Sequence, residues 1–320
     1  MGVSRRVFSR LHAAPSADGR DLGGAPVAIG GDTSWHPAGH RLLIADPDVG
    51  RLALHAVSLG AGPDLLLLHG YVQASWCWRD VLEPLAQRYR VHALCLPGFG
   101  WSDNPIGAPM RLRHQAVRVR AWLDAMAIAR CHVIGCSLGG ATALQLALLE
   151  PGRVDRLVLA NPAGAGVYPM AALAALQHPA FEPLLALPGV PYGLALGLRH
   201  AAYAQLPIDD HYMKHFLAPL RTEGAVAAAL AVARSYNRDL AELHGGLRRI
   251  HQPTLIVRGD RDRVIPAKIV AGVARALPAA HLVRYPRSGH CPMEDEPLRF
   301  AADALAWLAA EGMGPLRTPA

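Results

Sequence analysis

The sequence predicts an α/β fold: a mostly parallel central β-sheet with helices on both faces and a helical cap inserted after the sixth core strand. Three observations carry that prediction. Apolar runs of strand length alternate with longer helical stretches, which is the pattern of a parallel sheet covered on both sides. The alternation stops near Asn161 and resumes after His251-Gln252-Pro253. The 320 residues, 52% hydrophobic and 18% charged, are enough for a sizeable core and too apolar for a disordered chain.

Residues 1–45 are rich in Gly, Ala, Pro, Asp and His without a sustained apolar period, so a loose extension is expected there. Strands follow at Leu52–Ser58, Leu65–His69, Val91–Leu96, Cys131–Cys136 and Val154–Leu159, with helices over 77–88, 109–129 and 138–150 between them. Residues 162–250 form the cap, rich in Ala and Leu and punctuated by Pro183, Pro188, Pro191 and Pro207. Strand Thr254–Arg258, helix Ala267–Ala276, strand His281–Tyr285 and helix 295–310 complete a core made of 46–161 and 251–313. An insertion that joins two strand ends is expected over the carboxyl edge of the sheet, where open α/β folds bind ligands.

Composition narrows the partners. The 32 Lys+Arg against 25 Asp+Glu give a net charge of +7, but only Lys214 and Lys268 are lysines and the arginines are scattered among acids. Nucleic acid needs a concentrated basic patch, so no nucleic-acid partner is expected. No apolar run approaches the ~18 residues of a membrane span. Five cysteines without a C-x-x-C pair read as reduced thiols in a cytoplasmic protein. The twin arginine at Arg5-Arg6 lacks the apolar segment an export signal requires. The sequence does not settle the oligomeric state.

Chemistry concentrates in Gly135-Cys136-Ser137-Leu138-Gly139, directly after one strand and before a helix. A serine hydroxyl becomes a nucleophile when a tight strand-to-helix turn exposes it beside a base, and small residues on either side permit such a turn. Attack on a carbonyl creates an oxyanion, for which the N–H of Leu138 is one donor and that of Tyr71, in His69-Gly70-Tyr71, a second. Of sixteen histidines, His290 in Ser288-Gly289-His290 is best placed, beyond a strand at the same sheet edge. Its carboxylate partner must come from Gly259-Asp260-Arg261-Asp262, where two acids compete, because Asn161 occupies the other possible position without a charge.

Together these motifs resemble the α/β-hydrolase fold family, in its cap-bearing serine branch of carboxylesterases, carbon–carbon bond hydrolases and cofactor-free perhydrolases. The resemblance spans about residues 51–311. It includes His69-Gly70 with Ser75 and Trp78, the loop Leu96-Pro97-Gly98-Phe99-Gly100-Trp101-Ser102-Asp103, the elbow Gly135 to Gly140, Gly259 to Asp262 followed by Val264-Ile265-Pro266, and Gly289-His290. It implies a catalytic triad of Ser137, Asp262 and His290, with the acid at Asp262. The chain departs from the pattern at Cys95, where relatives commonly carry an acid, and it lacks a His-Gly-Gly-Gly loop. Serine at 137 excludes the branches that attack with aspartate. Cys136, beside the elbow serine, is expected to point into the core.

The implied reaction is a two-step acyl transfer with no metal and no organic cofactor. Its small-molecule substrate would be an uncharged ester, lactone or thioester, with a diketone or dienone split at a carbon–carbon bond, or a perhydrolase or acyltransferase reaction, as alternatives. Trp101 and the cap aromatics Phe181, Tyr192, Tyr212 and Phe216 are candidate pocket walls, or simply the residues that pack the cap on the core. A non-catalytic ligand-binding or interaction module is the rival from another class. It predicts loss of a triad residue, and all three are present.

Overall fold

The computed structural model describes residues 27–28, 35–164, 193, 196–197, 200–206 and 210–310. Among the described residues nine strands form one sheet: β1 (Val27–Ala28), β2 (Gly39–Asp46), β3 (Gly50–Leu59), β4 (Asp64–Leu68), β5 (Arg90–Leu94), β6 (Cys131–Cys136), β7 (Val154–Ala160), β8 (Thr254–Gly259) and β9 (Ala280–Tyr285). Their spatial order is β1-β2-β3-β5-β4-β6-β7-β8-β9. The pairs from β5 through β9 are parallel, and β3, β2 and β1 extend the sheet from β5 through successive antiparallel pairs.

The apolar run Leu65-Leu66-Leu67-Leu68 shows why the sheet is buried on both sides. Leu66 and Leu68 face one hydrophobic layer and Leu65 and Leu67 the other, all four fully buried. The same alternation sends Leu157 and Leu159 to the first layer and Val158 and Ala160 to the second. Helices α2 (Leu112–Ala125), α3 (Leu138–Leu149) and α6 (Ala267–Ala276) cover the first layer, while α1 (Arg79–Ala86) and α8 (Pro297–Ala309) cover the second. Between β7 and β8 stand α4 (Asp210–Leu217) and α5 (Ala225–Gly246), and the short α7 (Pro292–Asp295) precedes α8.

One expectation needs correction. The two-residue β1 and most of β2 lie within the stretch read as a loose extension, so that stretch adds two strands to the five read from the sequence before the insertion. Leu42, Ile44 and Asp46 of β2 are buried on one face, and Asp46 is fixed by Arg118 of α2 at 2.6 Å. Among the described residues no helix is long and apolar enough to cross a membrane, and all five cysteines are free and buried.

The chain leaves β4 for β5 on one side and then crosses to β6 on the other, so the winding reverses at β4. A crevice at the carboxyl ends of β4 and β6 is the ligand position that such a reversal creates.

Candidate active site

β6 ends at Cys136 and α3 begins at Leu138, so Ser137 makes the whole turn. Its φ of 53° and ψ of −114° are strained for a residue with a side chain. Small neighbours make that turn possible. A Cβ on Gly135 would stand 2.6 Å from the Gly139 carbonyl oxygen, and one on Gly139 would stand 2.0 Å from that of Leu68. The Ser137 N–H donates to the Ala160 carbonyl at 3.0 Å, which ties the elbow to β7. Leu138 sits at the first helical position, where no preceding turn offers its N–H an acceptor.

The loop after β4 is built around His69, which is fully buried. Nε2 accepts the Leu96 N–H at 2.9 Å, so Nδ1 carries the proton and donates to the Gly70 carbonyl at 2.8 Å. The Gly70 N–H is taken by Gln73 Oε1 at 2.9 Å, and Tyr71 supplies the next N–H along the loop. A Cβ on Gly70 would lie 3.4 Å from Ser137 Cβ, so this loop rests directly against the elbow. Val72 holds φ at 51°, a conformation a β-branched residue rarely adopts.

Burial pushes the His69 imidazole down to about 4 and that of His55, the neighbour of Cys95, down to about 3. Unfolding releases both rings to their ordinary range near 6.5, so below that pH the unfolded chain binds the extra protons. Their stabilising contribution is complete above pH 6.5 and is lost as pH falls toward 4, about 3 kcal/mol for each ring. Urea unfolding measured from pH 7 to pH 4 should show this steep loss. A flat profile would mean that neither ring is held neutral.

Asp262 and His290 meet across the loops after β8 and β9, with Asp262 Oδ2 2.8 Å from His290 Nδ1. The other carboxylate oxygen accepts the N–H groups of Val264 (2.7 Å) and Ile265 (2.9 Å), which fixes the carboxylate plane. A carboxylate partner places the imidazole proton on Nδ1 and leaves Nε2 with its lone pair. Asp260 instead faces outward to Arg284 at 2.7 Å and Arg258 at 3.4 Å.

Asn161 fastens these loops to the elbow. Its Nδ2 donates to the carbonyls of Gly289 and His290, both at 3.0 Å, and its Oδ1 accepts the Gly259 N–H at 3.2 Å. The histidine loop is thereby held by the residue that follows Ala160, which holds Ser137. Asn161 also has a positive φ, 41°, so three of the four non-glycine residues with positive φ among those described, Val72, Ser137 and Asn161, stand at one rim of the sheet. Sequence reasoning discounted Asn161 for want of a charge, and its role depends on neighbours about 100 and 130 positions away.

The cap is joined to the same rim. Asp295 accepts the Gly289 N–H (2.7 Å) together with the N–H groups of Ala204, Gln205 and Leu206, and the His290 N–H donates to the Ala202 carbonyl at 2.5 Å. Beside it Glu294, its side chain fully buried, accepts from Arg79 and from the Tyr203 hydroxyl, both at 2.6 Å. Tyr203 in turn accepts from Tyr212 (2.6 Å) and from Gln73 Nε2 (3.2 Å). Burial raises the Glu294 carboxyl, partly countered by the Arg79 charge. The chain of donors runs from the Gly70 N–H through Gln73 to Tyr203, so the loop after β4 and the segment between β7 and β8 are one hydrogen-bonded unit.

The remaining expectations fall out as follows. Tyr212 and Phe216 stack at 5.9 Å, and Tyr212 also meets Trp76 edge-on at 4.9 Å. The hollow beside them is about 10 Å³, close to the least that one water needs, so these aromatics pack the cap on the core. Trp101 lies 5.5 Å from His55, ring to ring, and is half-buried. Phe181 and Tyr192 lie outside the described residues. Cys136 is buried, with its thiol 3.8 Å from the His290 carbonyl. Cys95 does make polar contacts: its sulfur accepts the Ser75 N–H at 3.3 Å and its thiol donates to Ser75 Oγ at 3.2 Å.

Tyr236, on α5, is buried, and burial pushes its phenol well above the ordinary range, an effect that the nearby Ser137 partly counters. Tyr236 carries no local motif, and sequence reasoning passed over it.

Comparison with known proteins agrees with this architecture. The chain is 30% identical over 257 residues to the pimeloyl-[acyl-carrier protein] methyl ester esterase of Aeromonas salmonicida, covering 75% of this chain and 93% of that one. A hydrolase from Pseudomonas aeruginosa superposes with a TM-score of 0.72 at 27% identity, over 84% of this chain and 98% of the other. A membrane phospholipase A described as a bacterial virulence factor superposes with a TM-score of 0.69 at 29% identity, over 85% and 86%. The sequence profile of the alpha/beta hydrolase fold matches residues 63–297, and the chain belongs to that family.

Proposed function

We propose that the chain hydrolyses an uncharged, largely apolar carboxylic ester, lactone or thioester through an acyl-enzyme on Ser137. The observation that carries this reading is the 2.8 Å pairing of Asp262 with His290 Nδ1, on loops that Asn161 fastens beside a strained elbow serine. In the proposed reaction His290 Nε2 takes the Ser137 proton while Oγ bonds the carbonyl carbon and the carbonyl electron pair moves onto oxygen. The N–H groups of Tyr71 and Leu138 bind that oxyanion. As the carbon–alkoxy bond breaks, His290 gives its proton to the leaving oxygen, and water repeats the sequence to free the acid.

One further fact supports this reading. The esterase relative acts, by its name, on a methyl ester whose acyl group sits on a carrier protein. A fluorophosphonate probe should label the folded protein at Ser137, located by peptide mass spectrometry, and methyl and ethyl esters, lactones and thioesters of medium-chain acids should be turned over. Labelling at another residue, or none, would reject the proposal.

A further inference from the structure

The Tyr71 N–H serves an oxyanion only if the peptide group that carries it cannot turn. Gly70, on its amino side, has no Cβ to restrict that rotation, and a Cβ there would stand 2.6 Å from Gln73 Oε1. Gln73 supplies the restraint instead, by clamping both peptide groups that flank Gly70. Its Oε1 accepts the Gly70 N–H at 2.9 Å, which fixes the His69–Gly70 peptide. Its own N–H donates to the Gly70 carbonyl at 3.2 Å, which fixes the Gly70–Tyr71 peptide. The same carbonyl takes the His69 Nδ1 proton at 2.8 Å. In a trans peptide the C=O and N–H point opposite ways, so two donors on the carbonyl aim the Tyr71 N–H away from them.

We propose that Gln73 is a positioning residue for the acyl transfer: its side-chain amide holds the Tyr71 N–H on the oxyanion, and Tyr203 holds the amide. The inference rests on the acyl-enzyme reading above. The amide has one orientation open to it. The Gly70 N–H can only donate, so the Gln73 oxygen faces it and Nε2 faces the other way. There Nε2 donates to the Tyr203 hydroxyl at 3.2 Å and to Cys291 Sγ at 3.3 Å. Tyr203 is free to accept because its own proton goes to Glu294 at 2.6 Å, and Arg79 donates to the same carboxylate.

The turn needs such a clamp because it is strained. Val72, between Tyr71 and Gln73, holds φ at 51°, and rotation of a neighbouring peptide would relieve it. Gly70 can absorb that rotation, and the Tyr71 N–H would swing off the oxyanion with it. The Tyr71 side chain is tied separately, by its hydroxyl, to the Ala229 carbonyl at 2.9 Å, so the ring can stay in place while the backbone turns. Removing the Gln73 amide therefore costs the aim of one N–H rather than the surface that binds the substrate, and the cost appears only when charge develops on the carbonyl oxygen.

The test separates oxyanion binding from ground-state binding. Gln73→Met keeps the length of the side chain and removes both amide groups. For the ethyl ester of a medium-chain acid, kcat should fall about 20-fold with KM within about twofold. A trifluoromethyl ketone with the same alkyl chain, which adds Ser137 Oγ and places an oxyanion at that position, should bind weaker by about the same 20-fold factor. The corresponding secondary alcohol, which forms no oxyanion, should bind within about twofold of its affinity for the parent. Tyr203→Phe leaves Gln73 in place and removes only its acceptor, so it should show the same signature at about fivefold, and it carries the test if Gln73→Met does not fold. Equal weakening of ketone and alcohol, or no loss on the ester, in a variant that still labels with fluorophosphonate would overturn the inference alone. Failure of the unaltered protein to label at Ser137 would overturn the acyl-enzyme reading and the inference with it.

Discussion

Replacing Ser137 with alanine is expected to lower kcat for a p-nitrophenyl ester by about 10⁵-fold or more, and to abolish fluorophosphonate labelling. The magnitude follows from what remains. Without Oγ no acyl-enzyme forms, and only the binding surface and the Tyr71 and Leu138 N–H groups are left to assist direct attack by water. The fold should survive, because the turn depends on Gly135 and Gly139 and on the Ser137 backbone bond to Ala160 rather than on the hydroxyl. Alanine suffers the same strain at φ 53° as serine. A thermal midpoint within about 3 °C of the parent would certify the comparison. A rate near that of the parent in such a folded variant would remove the basis for an acyl-enzyme at this position.

The parts of the fold that could be read from the sequence are those in which local pattern and tertiary environment agree. Leu65 to Leu68, Val133 to Cys136 and Leu157 to Ala160 are apolar on both faces because both faces are covered, so composition alone marks them as strands. The elbow was legible for a related reason. Gly135 and Gly139 answer to clashes within four residues of one another and to the neighbouring strand, so the requirement is written locally. β2 was missed because its buried positions, Leu42, Ile44 and Asp46, are interspersed with Leu43 on the solvent side, and Asp46 is held there by Arg118, 72 residues on, together with the N–H groups of Asp48 and Val49.

The site divides along the same line. Ser137, Asp262 and His290 each stand in a short motif at a strand end, and the structure brings Asp262 and His290 into contact. Asn161, Gln73, Glu294 and Tyr236 carry no such motif. Asn161, Gln73 and Glu294 acquire distant partners from segments about 100 to 215 residues away, and the nearest signal is a polar side chain in an otherwise apolar setting. Tyr236 illustrates the limit: in Ser235-Tyr236-Asn237-Arg238 it looks like an exposed helical residue. Only the docking of α5, where the Ala229 carbonyl two turns earlier accepts the Tyr71 hydroxyl, accounts for the burial of its ring.

The second large effect separates the two acids that the sequence left in competition. Asp262→Asn should cost about 10⁴-fold in kcat, whereas Asp260→Asn should stay within a few-fold of the parent. At Asp262 one oxygen accepts two backbone N–H groups, from Val264 and Ile265, and an asparagine can serve them only with its own oxygen. That requirement turns the amide NH₂ toward His290. A donor there forces Nδ1 to accept, so the imidazole proton moves to Nε2, and the ring can no longer take a proton from Ser137. The loss is therefore one of tautomer and charge stabilisation, with the loop geometry retained. Asp260 is bound to Arg284 and Arg258 at the surface and should be replaceable with little effect on rate. Steady-state kinetics on the two variants, each checked by its unfolding midpoint, decide the assignment. A large loss at Asp260 with a small one at Asp262 would reverse it.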